Sequence, residues 1–241
     1  MINLSARQIQ ILRAIIEEFI ETAQPVGSDT IDKKFQIGVS PATIRNEMVE
    51  LTQKGYLQKA HSSAGRIPTA QAMKLYVNEL MKEKELSVAD EVSAKEKIWQ
   101  SRDELSRLLK ESTRVLAERT KSLSFAMTSD RLIFHSGYAN LLQMPEFYDI
   151  EVMRTVLNLI EEATLLEEIF EFGKSENPIH LVFGAELGNK NLKQVGFIYT
   201  RVDFGDNICR LGVIGSARFE YRYVIPLMKY FRGLLMEMGV A

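Results

Sequence analysis

Arg45 and Asn46 adjoin each other in the run Ser40-Pro41-Ala42-Thr43-Ile44-Arg45-Asn46-Glu47-Met48-Val49-Glu50-Leu51, and no other side chains of the sequence are better suited to reading a base edge. Arg can take guanine bidentately, Asn can take adenine, and a Thr such as Thr43 can serve a phosphate or a methyl group. Chemistry of this kind needs a helix whose N-terminal end enters the major groove. The run carries the signals for such a helix. Ser40 can N-cap it, and Pro41 falls at the first helical position, where its missing N–H costs nothing. Ile44, Met48 and Leu51 then recur at helical spacing as one stripe to be buried, which leaves Thr43, Arg45 and Asn46 off that stripe. Taken alone, the pattern fits equally a surface helix whose arginine is merely solvated.

The flanking sequence supplies the elements that would position these residues. Ser5 followed by Gln8 is a capping-box pattern, and Ile9, Leu12, Ile16, Phe19 and Ile20 keep helical period as far as Thr22. Gln24-Pro25-Val26-Gly27 breaks that helix, and Ser28 is expected to cap a short second one through Thr30, Ile31 and Lys34 to Phe35. Gln36-Ile37-Gly38-Val39 is the turn into the third, which makes a helix-turn-helix arrangement. Gly55 ends the third helix, and Tyr56-Leu57-Gln58-Lys59 alternates as a short strand. His61-Ser62-Ser63-Ala64-Gly65-Arg66-Ile67-Pro68 then turns back, with Arg66 expected at the tip and Ile67 in a returning strand. The result is a β-wing of the kind that lies against phosphates or dips an Arg into the minor groove. In isolation the same residues make an ordinary polar hairpin.

The 241 residues, 46% hydrophobic and 26% charged, are enough for two modest globular domains. No window approaches the roughly 18 apolar residues of a membrane span, and Met1-Ile2-Asn3-Leu4-Ser5 lacks a signal peptide's basic start, so the expected location is cytoplasmic with no membrane partner. One cysteine, Cys209, excludes an internal disulfide, and His61, His135 and His180 give no metal-ligand spacing, so neither metal nor cofactor is expected. Net charge is −2; residues 1–75 hold nine Lys/Arg against seven Asp/Glu, and Glu17, Glu18 and Glu21 cluster on the first helix. The basic groups from Lys33 onward therefore have room to form a local positive face, which matters more to phosphate than total charge.

Thr69 is expected to cap a helix from Ala70 to about Lys84. After Glu85 a polar stretch through Ser87 and Asp90-Glu91 reads as linker, followed by one long helix over roughly 94–120. Its stripe of Ile98, Leu105, Leu108, Leu109, Val115 and Leu116, interrupted by Ser112, suits a two-chain contact or packing on its own domain. A hairpin (123–128 and 131–135), helical pattern over 150–172 in two pieces meeting near Ala163-Thr164, strands at 179–183, 195–202 and 208–214, and a final helix from Tyr221 to Met238 complete a mostly antiparallel α+β domain.

No constellation for catalysis emerges. Gly212-Val213-Ile214-Gly215 has the wrong spacing for a phosphate loop, and there is no serine elbow and no paired-His zinc motif. Glu161-Glu162 and Glu167-Glu168 fit solvated helix faces, His135 and His180 fall on strands, and Cys209 fits a small core residue. The chain is expected not to be an enzyme.

The strings Pro25-Val26-Gly27-Ser28, Ser40 to Met48, Gly55-Tyr56-Leu57 and His61 to Thr69 closely resemble the N-terminal winged-helix domain of the HrcA family, bacterial heat-inducible transcription repressors. Ser62 stands where that family more usually has Thr. Ser136-Gly137-Tyr138-Ala139-Asn140-Leu141-Leu142 with Pro145-Glu146-Phe147, and Leu211 to Tyr221, resemble its C-terminal half, with Ser216-Ala217 in place of Pro-Thr and Phe219-Glu220 in place of Met-Asp.

The resemblance implies an α+β chain with a winged helix-turn-helix domain at 1–85, a linker and long helix at 86–120, and a GAF-like sensing or dimerising domain at 121–241. That domain would lack the family's additional strands and inserted dimerising segment. The implied function is repression of chaperone genes through an inverted-repeat operator in double-stranded DNA, bound as a homodimer and released on heat stress, with the chaperonin GroEL as a partner. The residues expected at the DNA are Ser28, Ser40, Pro41, Thr43, Arg45, Asn46, Lys59, His61, Ser62, Ser63, Gly65 and Arg66. The C-terminal part is expected to be the weaker one, with Phe125, Ile133, Phe134 and Tyr138 accessible to a chaperonin. An alternative is a winged-helix regulator of other genes that answers to a ligand in the GAF-like domain, and a thermal-shift screen separates the two.

Overall fold

Residues 3–60, 65–173, 176–204 and 207–239 are described in the computed structural model. They divide into two compact units, Met1–Lys82 and Glu83–Ala241.

In the first unit, the capping box of Ser5 and Gln8 starts α1 (Ala6–Thr22), which buries Ile11, Leu12, Ile15 and Ile16. Helix α2 (Ser28–Phe35) is capped by Gly27 with no side-chain bond, so Ser28 is its first helical residue and not its cap. Helix α3 (Pro41–Gln53) begins as its sequence dictates, with Ser40 accepting from the Thr43 N–H at 3.2 Å and Pro41 in the first turn. Ile44, Met48 and Leu51 are its buried stripe. Strands β1 (Leu57–Lys59) and β2 (Arg66–Pro68) pair antiparallel, with Lys59 opposite Arg66. Thr69 caps α4 (Ala70–Leu75), which widens into a π turn over Tyr76–Leu80. The helix stops there and not at Lys84, because the Met81 N–H closes back on the Tyr76 carbonyl at 2.8 Å and Met81 itself is extended.

The second unit departs from the expected linker and long helix. Ser87 caps α5 (Val88–Trp99), and Asp90 and Glu91 lie in its first turn, where negative charge suits the helix N-terminus. The polar stretch is therefore a helix start. A straight helix over 94–120 would set Lys97 about 30 Å from Glu118; the two are 2.9 Å apart. The chain breaks after Trp99, where the Ser101 N–H returns to the Ile98 carbonyl at 2.9 Å, and α6 (Leu105–Thr120) folds back on α5. Arg119 completes the clasp through Asp90 and Ser93. Folding back lets α6 lay Leu108, Leu109, Val115 and Leu116 against its own sheet, and the interrupting Ser112 is satisfied by the Leu108 carbonyl at 2.7 Å.

That sheet has five antiparallel strands, β3 (Leu123–Thr128), β4 (Ile133–Ser136), β5 (Ile179–Phe183), β6 (Val195–Phe204) and β7 (Asn207–Ser216), in the order β4-β3-β7-β6-β5. Between β4 and β5 run α7 (Tyr138–Leu141), a 3-10 turn at Pro145–Phe147, α8 (Ile150–Glu161) and α9 (Ala163–Phe172), and α10 (Tyr221–Met238) closes the unit. The helical break expected near Ala163 falls at Glu162; α7 and the 3-10 turn carry too few residues to announce themselves by periodicity.

Register explains the core. Leu123, Phe125 and Met127 on β3, Ile214 on β7, Phe197 and Tyr199 on β6 and Val182 on β5 share one face and pack with Phe147, Val156, Leu159, Ile160, Leu166 and Phe170. The alternate residues, Ala126, Val213, Ile198 and Val202 among them, are equally buried, and α6 and α10 pack on the sheet. Both faces are therefore covered. Phe125, expected to be accessible, is 1% exposed in this core; Ile133 and Phe134 are half-buried, and only Tyr138 is exposed. Among the described residues no helix is long and apolar enough to cross a membrane.

Candidate nucleic-acid interface

The helix α3 sorts its side chains by charge. Glu47 accepts from Arg7 at 3.4 Å and from the Gln8 amide at 3.0 Å, and Glu50 accepts from the same amide at 2.7 Å. Both carboxylates are thus turned toward α1. Arg45 and Asn46 are exposed, and their side chains make no hydrogen bond or ion pair among the described residues. Thr43 behaves differently: it is half-buried, and its hydroxyl lies 3.0 Å from the Ser40 hydroxyl, so both belong to the helix cap.

Arg66 is not at a tip. It opens β2, its backbone N–H and carbonyl both pair with Val26 at 2.9 Å, and its Nε donates to the Thr52 hydroxyl at 3.2 Å. The guanidinium therefore lies along the end of α3. Gly65 is buried, and a Cβ there would come within 2.9 Å of the Pro25 Cβ, so its place is set by packing on the turn after α1. Ser28 is half-buried in the first turn of α2. His61, Ser62 and Ser63 lie outside the described residues.

Basic residues of this unit divide the same way. Lys34 holds Glu18 at 2.6 Å and Glu21 at 2.8 Å, and hydrogen bonds to these two carboxylates raise its pKa. Lys54 donates to the Asn3 carbonyl and to Gln8. Lys33, Arg45 and Lys59 remain exposed and unpaired among the described residues. They are the cations available to a phosphate. Sequence reasoning passed over Ala42 and Val49, both exposed on α3; an apolar side chain on a polar face gives no signal until the buried side of the helix is known.

In the second unit, two of the strings singled out in the sequence meet. Arg218 donates to Glu146 at 2.5 Å and Ser216 donates to the same oxygen at 2.8 Å, with the Glu146 side chain only 8% exposed. Burial pushes the Glu146 carboxyl up, but the bonds from Arg218, its own backbone and Ser216 outweigh that and leave it below its ordinary value. Asn140 spans the carbonyls of Ala117 and Ser122 at 3.1 and 3.0 Å, tying α7 to the end of α6 and the start of β3. Other candidate reactive groups are committed to structure. Cys209 is buried, and burial, with Asp130 and Asp203 adding to it, pushes its thiol up to about 11. His180 stacks on Tyr199 and contacts the Gly173 carbonyl at 3.0 Å, and burial lowers its pKa. Glu167 pairs with Arg131 at 2.9 Å.

Fold and site together define an α+β chain with a helical, hairpin-bearing unit that presents an open polar helix face, and a second unit built on a layered antiparallel sheet. Residues 40–225 match the family model described as the HrcA protein C terminal domain. The chain belongs to the HrcA family. The heat-inducible transcription repressor HrcA of Pelotomaculum thermopropionicum is 27% identical over 329 aligned positions, covering 95% of this chain and 94% of that one. Those positions outnumber the residues of this chain, so part of that relative has no counterpart here. The same-named protein of Acetivibrio thermocellus is 34% identical over 190 residues, covering 78% of this chain and 52% of its own. Among solved structures, a crystal structure described as a hypothetical protein is similar at a TM-score of 0.76 and 18% identity, covering 98% of this chain and 99% of its own, a likeness of fold.

Proposed function

We propose that this protein is a DNA-binding transcriptional repressor of heat-shock genes, with residues 1–82 as a winged helix-turn-helix head and a GAF-like second unit. It binds an inverted-repeat operator in double-stranded DNA as a homodimer in the cytoplasm, is released on heat stress, and has the chaperonin GroEL as a partner. The observation that carries the reading is the face of α3 on which Arg45 and Asn46 are exposed and, among the described residues, unpaired, while the acids of the same helix are taken up by Arg7 and Gln8. A helix so sorted presents donors and acceptors, and little negative charge, to a groove. Membership of a family whose relatives are named heat-inducible transcription repressors supports the choice of genes. Arg45 and Asn46 read bases; Ser40, Pro41 and Thr43 shape the helix start that meets a phosphate; Lys59, with the turn at His61, Ser62 and Ser63, contacts the backbone. Ser28, Gly65 and Arg66 hold these parts in place.

The test is selection of genomic fragments by the purified protein, followed by binding isotherms on the enriched duplex and a scrambled one. Arg45→Ala and Asn46→Ala should each cost about 1–3 kcal/mol on the enriched site and relax base preference, while Lys59→Ala should weaken both duplexes alike and flatten the salt dependence. An Arg45→Ala protein with unchanged preference would sink the assignment.

A further inference from the structure

The exposed arc of α3 has an apolar centre. At about 100° per residue, Val49 lies ~40° and Ala42 ~60° around the helix from Arg45, with Asn46 at ~100°. The two apolar residues therefore stand between the two polar ones, a turn to either side along the axis. Ala42 is exposed and Val49 keeps 41% of its surface open, while the acid nearest this arc, Glu50, is held by Gln8 at 2.7 Å. Val49 therefore faces the same way as Arg45 and Asn46, toward any groove wall that those two touch together.

In the major groove the apolar feature of a base edge is the thymine C5-methyl group, and small apolar side chains are its partners. We propose that Val49 and Ala42 are specificity residues that read thymine methyls on either side of the bases taken by Arg45 and Asn46. The proposal rests on the reading of α3 as a base-reading helix and adds the ligand chemistry of its centre. The seven-residue separation of Ala42 and Val49 is ~10.5 Å along the axis, about three base-pair steps of ~3.4 Å. The preferred site should carry two thymines roughly that far apart, with the guanine or adenine contacts between them.

Deoxyuridine isolates the methyl group, because it keeps every hydrogen-bonding group of thymine and removes only that carbon. Full-length protein is titrated with its enriched duplex and with duplexes in which each thymine in turn is deoxyuridine. Wild type should lose about three- to fourfold in affinity at one or two positions of each half-site, the value of one buried methyl. Val49→Ala should weaken binding to the parent duplex and bind it and the deoxyuridine duplex at one of those positions alike; Arg45→Ala should keep the methyl penalty while losing its own base preference. Val49 is exposed on a helix, so equal melting curves for the variant and wild type are expected and show that folding is not the cause. If no thymine is sensitive, or Val49→Ala pays the same penalties as wild type, the inference is wrong while the base-reading helix stands. If wild type shows no sequence preference at all, both fall together.

Discussion

Arg66 opens β2 with its Nε on the Thr52 hydroxyl, a hydrogen bond that ties the hairpin to α3. Its loss should be felt as stability, with Arg66→Ala lowering the melting point of residues 1–82 by the equivalent of about 1 kcal/mol, whereas Lys59→Ala, at a side chain exposed and unpaired among the described residues, should leave it unchanged. Thermal denaturation followed in the absence of DNA checks this; equal melting of the two variants would return Arg66 to a purely DNA-facing role. The pair of Glu146 and Arg218 makes a statement about pH. Because the folded Glu146 carboxyl sits below its ordinary value, the stability it confers is complete above the ordinary carboxylate range and is lost as pH falls through the depressed value. Glu146→Gln should cost about 1–3 kcal/mol at pH 7, where it removes the buried carboxylate that the half-buried Arg218 holds, and should lose less further stability than wild type between pH 5 and pH 3. Urea titrations at those pH values measure it, and parallel curves would show that the pair adds nothing.

At the scale of elements, Gly137 is the joint on which α7 turns. Its φ is +95°, and a Cβ would come within 2.5 Å of the Ser122 carbonyl and 2.7 Å of the Ala117 Cβ, the same corner that Asn140 ties together. Gly137→Ala should cost the second unit more than the ~1 kcal/mol that an ill-fitting φ alone exacts, since β3 or α6 must shift. A denaturant midpoint no lower than that of wild type would contradict the geometry. The elements with long periods were legible beforehand: α1 and α3 start where Ser5 and Ser40-Pro41 set them, and α10 spans the expected Tyr221 to Met238. What the sequence could not convey was how elements fold against one another. The run over 94–120 is helical in pattern throughout, and only the attraction of α6 to the sheet and the clasp of Lys97 with Glu118 across the turn reveal two helices. The candidate site divides similarly. Arg45 and Asn46 were legible because a stripe implies its opposite face, while Arg66 was misplaced because the bridge to Val26 is invisible in a linear reading.

For the whole molecule, the two units differ in what burial can supply. A domain of the size of Met1–Lys82 removes roughly 60–65% of its surface from water on folding, and one of the size of Glu83–Ala241 roughly 70%. The contrast is sharpest in α2, eight residues long with Ile31 as its buried residue, against β3, in which all six residues are buried. A repressor that lets go of DNA on warming needs one part to open before the rest. The sheet, covered on both faces and with Phe125 inside, is poorly placed to be that part. We therefore expect the head to loosen first: in full-length protein warmed stepwise through the growth range, backbone amides of α2 and α3 should lose protection from hydrogen exchange at temperatures where those of β3, β6 and β7 keep it. Loss of operator binding should track the first group, and added duplex should shift only that group upward, because a ligand stabilises the unit it binds. If the amides of β3 and β4 exchange first and binding falls with them, the second unit is the heat sensor and the covered sheet opens more readily than its burial implies.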